Sequence, residues 1–306
     1  MPIIQSKELP ILLQNIPDPP EKLSYLGNKE LLKKTCIAVV GTRKNSDYGE
    51  LMTQQIIEEL AILDIAVVSG LALGIDAIAH KTALANGIPT IAVLGSSIDN
   101  LYPPQNKELA KEIAKQGLIL SEFPPKTDPK NWHFLKRNRL ISGLSIATIV
   151  VEAPEKSGAI NTAKHALDQG REIFVIPGDV DRPNSVGILH LLQRGAAYPI
   201  SSGKEIIKIL QEQPRLFHLE KVLKKRSKLL PPSPKTAKTS LKKAPSFRLN
   251  PEELQILGIL PKRRALSFQK LIEKSQFPVP ELLSILSMLE LQGLVENEAD
   301  NYRRKF

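Results

Sequence analysis

The sequence of 306 residues is poor in the residue types that mark secreted, membrane-spanning and metal-binding proteins. Its one cysteine, Cys36, excludes an intramolecular disulfide and is expected to be a small buried hydrophobic residue. The five histidines are scattered without metal-ligand spacing, so we expect no metal site. No apolar run approaches the ~20 residues that span a bilayer, and the first residues lack a secretory pattern. These features predict a cytoplasmic protein with no membrane partner.

Aromatic residues are also few. They make up 5% of the chain, with Trp132 as the single tryptophan. A binding mode based on an extended row of stacked aromatic side chains is therefore not expected.

Positive charge is concentrated in one segment. The formal net charge is +10, and residues 221–243 hold nine lysine and arginine residues and no acidic one. The remaining chain is nearly neutral, so a nucleic-acid site there must come from local clustering of charge. The basic residues lie within a proline-rich stretch, 211–249, which we interpret as a linker. Its composition fits a solvated linker and an electrostatic tether for a polyanion equally well.

Short apolar runs alternate with helical stretches over the first two thirds of the chain. The runs are Ile37–Val40, Ile65–Val68, Thr90–Leu94, Leu118–Leu120, Ile146–Val151 and Glu172–Ile176. Continuous apolar strands separated by helices indicate a parallel sheet that is covered on both faces. The predicted fold class is therefore α/β, a Rossmann-like doubly wound and mostly parallel sheet. We assign residues 1–36 to an N-terminal extension and 37–210 to this domain.

The end of the chain, 250–306, has the pattern of a small winged-helix domain. Asn250 is a predicted helix cap, and two further helices are expected near Ser267–Ser275 and Val279–Leu291. Leu294–Asn297 and Tyr302–Phe306 are expected to form a hairpin. The third helix has no lysine or arginine, whereas a helix that reads duplex DNA presents basic or amide side chains. We therefore expect poor duplex reading and a role in protein contacts.

The loop after the first predicted strand points to an anion. Ligands of open parallel sheets bind where strands end and helices begin. A dinucleotide site would need three closely spaced glycines, but this loop has only Gly41, followed by Arg43 and Lys44. NAD and FAD are thus disfavoured, and we expect no cofactor. A guanidinium group acting with backbone N–H groups would suit a phosphate.

Two other predicted βα loops add glycine and hydroxyl groups. Ser69-Gly70 ends the second strand and allows close approach of the backbone. Asp76 could cap or orient this loop, and the simpler interpretation of Asp76, and of His80 one turn further along, is a structural role. After the fifth strand, Ser157 is a predicted N-cap and Gly158 leaves the helix amides accessible, with Lys164 about two turns along. No set of nucleophile, base and orienting group is evident, so we predict no catalytic residues.

The densest basic cluster outside the linker is His133–Arg139. It contains Phe134, Lys136, Arg137 and Arg139 within seven residues. Such a run is either a solvated helix face or a site for a phosphodiester backbone with Phe134 stacked on a base. Because it leads directly into an apolar stretch, we favour the binding role.

Taken in chain order, these residues resemble the DNA-processing protein A (DprA/Smf) family over roughly residues 16–200. The motifs that carry the resemblance are Gly41-Thr42-Arg43, Ser69-Gly70, Gly74-Ile75-Asp76, Tyr102-Pro103, Arg137-Asn138-Arg139, Glu152-Ala153, Ser157-Gly158 and Pro177-Gly178. The resemblance implies a homodimer that binds single-stranded DNA, protects incoming strands and helps load RecA recombinase during natural transformation (competence) and DNA recombination. It implies that Arg43, Arg137, Arg139 and Lys164 line a basic pocket, with backbone contacts from Gly41 and Gly70.

The chain departs from the family pattern at a few positions. Leu135 replaces a usual proline, Ser97 a usual glycine and Leu189 a common asparagine. The helical N-terminal domain of many members is expected to be absent. Two other functions stay open. The first is a nucleotide phosphoribohydrolase on the same fold, which is disfavoured because Lys156–Thr162 lacks the required double glycine. The second is a scaffold without DNA binding, which is disfavoured by the retained arginines.

Overall fold

A computed structural model of the protein describes residues 1–212, 250–260, 266–275, 277–291, 294–298 and 301–304. The chain divides into two compact units, Met1–Pro231 and Pro232–Phe306. The first unit contains the sheet domain, and the second contains the small C-terminal domain. Most of the predicted linker, residues 213–249, lies outside the described ranges.

Within residues 1–212, nine strands form one sheet in the order β1-β2-β6-β5-β4-β3-β7-β8-β9. Seven of them, β3 to β9, run parallel, and β2 and β1 extend one edge in antiparallel pairing. The strands are β1 (Ile3–Gln5), β2 (Lys22–Gly27), β3 (Thr35–Val40), β4 (Ile65–Ser69), β5 (Thr90–Leu94), β6 (Leu118–Ser121), β7 (Ala147–Val150), β8 (Glu172–Val175) and β9 (Tyr198–Pro199).

Helices cover both faces of this sheet. They are α1 (Ile11–Gln14), α2 (Asp47–Leu60), α3 (Ile75–Ala85), α4 (Lys107–Gln116), α5 (Asn131–Leu144), α6 (Gly158–Asp168), α7 (Val186–Gln193) and α8 (Gly203–Glu212). Along β3, Cys36 and Ala38 pack with α1, α5, α6 and α7, whereas Ile37 and Val39 pack with α2, α3 and α8. Two-sided burial explains why the strand sequences are continuously apolar.

All six predicted strands are present, and their ends differ from the predicted ones by at most two residues. Residues 1–36, which we set apart as an extension, belong to the same fold because they supply β1, β2 and the start of β3. The buried thiol of Cys36 is 2% exposed, and burial raises its pKa to about 12, as expected for a small core residue. Within the described ranges, no helix combines the length and apolar character needed to span a bilayer.

The strand order reverses at β3. The chain builds β4, β5 and β6 on one side of β3 and then crosses to place β7 on its other side. This is the topological switch point at which open α/β sheets bind ligands. The loops after β3 and β7 diverge there and leave a cleft between them.

The second unit has the expected helices and hairpin. The helices are α9 (Pro251–Ile259), α10 (Phe268–Ser275) and α11 (Val279–Leu291), and the strands are β10 (Leu266–Ser267), β11 (Val295–Glu298) and β12 (Asn301–Arg304). The strands pair antiparallel in the order β10-β12-β11. At the start of α9, the Asn250 side chain accepts from Glu253 N at 2.8 Å, and the Glu253 carboxylate accepts from Asn250 N at 2.9 Å. This reciprocal cap confirms the predicted helix start.

Candidate nucleic-acid interface

A cleft of about 510 Å³ lies at the carboxyl ends of the strands beside the switch point. Its walls come from the loop after β3, the first two turns of α5 and the N-terminus of α6. The predicted site residues that line it are Gly41, Arg43, Lys44, Phe134, Arg137, Ser157 and Gly158. The structure therefore brings the loop after β3 together with two segments, in α5 and at the start of α6, that lie far from it in the sequence.

The loop after β3 is shaped by a buried carboxylate. Glu152 accepts from Ser46 N at 2.9 Å and from Ser46 Oγ at 2.5 Å, and its backbone oxygen accepts from Thr42 N at 2.7 Å. A Cβ at Gly49 would lie 2.3 Å from the Glu152 carboxylate, so any larger residue at that position would displace this carboxylate. Because these contacts fix both ends of the loop, the exposed side chains of Arg43 and Lys44 are presented at the cleft.

Phe134 stands at the rim of the cleft beside Arg43. The Arg43 guanidinium carbon lies 5.4 Å from the centre of the Phe134 ring, a cation–π arrangement. The Tyr102 ring centre is 5.6 Å from that of Phe134. A Cβ at Gly95 would lie 2.4 Å from Phe134 Cδ1, so glycine there gives the ring its position. An aromatic face next to a cation suits a base joined to a phosphate.

Arg137 lines the cleft but is 3% exposed and makes structural contacts. One of its guanidinium nitrogens, Nη1, donates to Gly70 O at 2.6 Å and also to Val93 O. These bonds tie α5 to the ends of β4 and β5. Burial lowers the pKa of Arg137 to about 10, an effect that nearby Asp76 opposes, so the group stays charged at neutral pH.

Arg139 is placed away from the cleft and is fully engaged. It is 5% exposed, and its Nε lies 2.7 Å from Asp18 Oδ2 while its Nη2 lies 2.6 Å from Glu122 Oε1. Lys136 is exposed and lies 3.7 Å from the same Glu122 carboxylate. The basic cluster thus divides into buried groups that hold α5 and exposed groups that face solvent.

The N-terminus of α6 forms the opposite wall. The Ser157 side chain accepts from Ile160 N at 3.3 Å, which confirms its predicted capping role. Asn138 Nδ2 donates to Gly158 O and to Asn161 Oδ1, both at 3.1 Å, and so joins α5 to α6. The first amides of a helix have no intrahelical acceptor, and their dipole favours an anion. This wall is suited to phosphate.

The remaining predicted site residues lie outside this cleft. Ser69 is buried and its Oγ donates to Val39 O at 2.7 Å. Gly70 borders a small adjoining hollow, where a Cβ would come within 2.6 Å of the Arg137 guanidinium. Lys164 is exposed on α6, but it does not line the cleft.

Two buried groups that sequence left between binding and structural roles have structural contacts. Asp76 accepts from Gly70 N at 3.1 Å and Ala72 N at 3.4 Å, and burial raises the pKa of its carboxyl group. His80 Nδ1 lies 2.7 Å from Thr90 Oγ1, and burial lowers the pKa of its ring to about 3. Among the described residues, no group of three or more metal-ligating side chains is assembled.

Sequence reasoning missed several polar residues of the cleft. They are Thr42, Asn131, Asn138, Thr162 and Asn184. Asn138 could have been predicted from the sequence, because it lies between two arginines of the basic cluster. Asn184 had no such signal, because it reaches the cleft from the loop before α7, where its side chain donates to Lys44 O at 3.0 Å.

The fold and cleft define a Rossmann-like protein with a cleft of cationic and helix N-terminal groups, suited to an anion, at its topological switch point. Residues 1–211 match the model of the family described as DNA recombination-mediator protein A. Residues 240–301 match the DprA winged helix domain. The chain therefore belongs to the DNA-processing protein A (DprA/Smf) family, as its motifs indicated.

Curated relatives agree with this assignment. The DNA processing protein DprA of Bacillus subtilis is 42% identical over 211 residues, which cover 69% of this chain and 71% of the relative. Protein Smf of Escherichia coli is 36% identical over 289 residues, which cover 94% of this chain and 72% of the relative. The longer match shows that the similarity continues through the C-terminal unit.

Two solved structures share the fold of the first unit. The X-ray structure of DprA from Streptococcus pneumoniae aligns with a TM-score of 0.66 at 41% identity, covering 68% of this chain and 73% of the other. DNA processing protein A from Helicobacter pylori aligns with a TM-score of 0.63 at 34% identity, covering 69% of this chain and 96% of the other. The Helicobacter structure was reported for its single-stranded DNA binding mode.

Proposed function

We propose that this protein binds single-stranded DNA in the cleft at the switch point and acts in DNA processing during natural transformation and recombination in the cytoplasm. The single observation that carries the proposal is the grouping of Arg43, Lys44 and Phe134 with the N-terminus of α6 around one cleft. Two exposed cations, an aromatic ring and a helix dipole are the elements that bind a single strand without reading its sequence. The single-stranded DNA binding of the Helicobacter relative supports this choice of ligand.

The residues divide by role. Arg43 and Lys44 neutralise phosphates, Phe134 stacks on a base, and the backbone at Gly41 and at Ser157-Gly158 approaches the strand closely. Lys136 and Lys164, which are exposed beside the cleft walls, contact flanking phosphates.

The buried residues position these groups. Arg137 contributes a fixed charge to the cleft wall, while Arg139, Ser69 and Gly70 hold the surrounding loops and helix in place. Few base edges are contacted in this arrangement. Binding is accordingly sequence-tolerant and strongly salt-dependent.

We also propose that the protein forms a homodimer, protects incoming strands and helps load RecA recombinase. The family membership supports these roles. The winged helix serves protein contacts in this proposal, because α11 exposes Val279, Leu283 and Met288 together with the carboxylates of Glu281 and Glu290. A surface of that composition repels a duplex and favours an apolar partner surface.

The test measures binding of labelled single-stranded and duplex DNA by fluorescence anisotropy across a salt series. Arg43→Ala/Lys44→Ala removes the two exposed cations from the cleft. The matched control is Lys81→Ala/Lys115→Ala, which removes two exposed lysines from α3 and α4. For single strands, the loss of two phosphate contacts should make the negative slope of log K against log salt shallower by about 1.4.

A second comparison separates the cleft from the linker. The nine basic residues of 221–243 are replaced by glutamine in the full chain. Binding that survives this change but weakens in the Arg43/Lys44 variant supports the cleft. If binding is lost when the linker charges are removed and is unchanged in the Arg43/Lys44 variant, the cleft is refuted as the binding site. Nucleotide hydrolysis is then the next assay, because the alternative phosphoribohydrolase would use the same cleft.

A further inference from the structure

The single tryptophan of the chain is exposed next to the cleft. Trp132 is 56% exposed on the first turn of α5. Tryptophan is a residue that proteins bury on average, so such exposure calls for a physical reason. The residue before it, Asn131, lines the cleft, and so does Leu135, which follows on the same side of the helix. Trp132 therefore lies just beyond the cleft, with Leu135 between them.

The indole packs against two buried rings. Its centre is 4.1 Å from that of His133 in an edge-on arrangement, and 6.4 Å from that of Phe123. His133 is 3% exposed and packs 4.2 Å from Phe123, which is itself 7% exposed. Because these two rings are buried, the indole is held in place before any ligand arrives. A preorganised aromatic face loses little conformational entropy on binding.

The surroundings of the indole are basic. Lys130 and Lys136 are exposed and close to the neighbouring His133 ring. Burial lowers the pKa of that ring, and the charges of these two lysines lower it further. Two carboxylates lie nearby and both have partners. Asp128 accepts from Asn100 Nδ2 at 3.0 Å, and Glu122 is paired with Arg139 and Lys136. Cations around a flat aromatic face are complementary to a nucleic-acid strand rather than to an apolar protein surface.

We infer that Trp132 is a second base-stacking platform, outside the cleft, for the part of a single strand that leaves the cleft over Leu135. This inference rests on the proposed function and extends it from a single cleft to a path along the start of α5. In this path Phe134 stacks a base at the cleft rim, and Trp132 stacks a later base beside phosphates that Lys130 and Lys136 neutralise.

Because Trp132 is the only tryptophan, its own emission reports occupancy of the platform. The full-length protein is titrated with oligothymidines of roughly four and roughly twelve nucleotides, lengths that bracket small single-strand site sizes. We expect the longer strand to quench the emission and to protect it from acrylamide. The shorter strand, which is held in the cleft, leaves the emission nearly unchanged.

Variants then test the energy of the contact. Trp132→Leu should weaken binding of the longer strand about tenfold, or about 1.4 kcal/mol, and leave the shorter strand unaffected. Trp132→Phe should retain most of the affinity because it keeps an aromatic face. Ile62→Ala, which alters an exposed apolar residue in the connection before β4, at the opposite ends of the strands from the cleft, is the matched control. An abasic site that weakens wild type but not Trp132→Leu identifies the stacked base.

The failures of the two proposals are distinguishable. Unchanged emission with the longer strand, together with equal affinity of Trp132→Leu and wild type, overturns the platform. If Arg43→Ala/Lys44→Ala still weakens binding in that case, the cleft stands alone. If neither variant matters, the proposed function fails as well. Loss of RecA binding without loss of DNA binding in Trp132→Leu would also overturn the platform and assign the surface to a protein partner.

Discussion

Replacing Arg137 should destabilise the fold before it affects any ligand. The guanidinium donates to Gly70 O and Val93 O from a position that is 3% exposed, and it lies close enough to Asp76 to stabilise that buried carboxylate. A hydrogen bond from a charged donor contributes about 1.5–3 kcal/mol. Losing two such bonds and leaving Asp76 without its cation predicts a cost of about 3–5 kcal/mol for Arg137→Ala. That is a large part of the ~5–15 kcal/mol by which domains are stable.

Urea unfolding measures this cost. Emission of Trp132 reports the first unit alone, because the only tryptophan lies there. With a urea dependence of about 2 kcal/mol per molar, the unfolding midpoint of Arg137→Ala should fall by about 2 M. Arg43→Ala, which alters an exposed residue in the same cleft, should stay within about 0.5 kcal/mol of wild type. Equal midpoints for the two variants would refute the structural role of Arg137.

Three further predictions follow from contacts near the cleft. Gly95→Ala places a Cβ 2.4 Å from Phe134 Cδ1, so single-strand affinity should fall about fivefold by anisotropy as the ring shifts; wild-type affinity would contradict this. Ser46→Ala removes the α2 cap and a Glu152 contact and should cost about 2 kcal/mol in urea unfolding, with Ser46→Thr as the control. The pKa of His80 is about 3 in the fold against 6.5 ordinarily, so the unfolded chain takes up this proton first. The free energy of unfolding should therefore decrease as the pH falls from about 6.5 towards 3, and this decrease should be smaller in His80→Gln. An equal decrease in wild type and His80→Gln would show that another group causes it.

Much of the fold was predictable because its strands are buried on both faces. Six apolar runs such as Ile37–Val40 could be recognised without any alternation of polar residues. The strands that escaped notice lie at or next to the edges of the sheet and are short or contain polar residues. β2 contains Lys22, Ser24 and Tyr25 and pairs with β1 and β6, which are distant in sequence, and β9 is two residues long. Neither has a run long enough to indicate a strand by its periodicity.

The site was harder to predict than the fold, for a physical reason. Its loops were recognisable because each follows a predicted strand, and the structure brings Gly41, Arg43 and Ser157 together as expected. The burial of Arg137 and Arg139 was not recognisable, because a run of cations has the same composition whether it faces solvent or not. Only the tertiary partners of these arginines, which come from β4, β5 and the N-terminal residues, distinguish a structural arginine from a free one.

This division between buried and exposed cations has a consequence for binding. Arg137 remains charged with its pKa near 10, and its position in the cleft wall is fixed by backbone carbonyls. It therefore contributes positive potential to the cleft without losing side-chain freedom when a strand binds. Arg43 and Lys44 are exposed, and they must be ordered against a phosphate at an entropic cost. In the proposed complex, Arg137 supplies positive potential that is in place before a strand arrives, and Arg43 and Lys44 supply the direct phosphate contacts that salt weakens. A substitution at Arg43 should change the slope of log K for DNA binding against log salt. A substitution at Arg137 should lower the free energy of unfolding, and the protein that remains folded should bind DNA with nearly the wild-type slope.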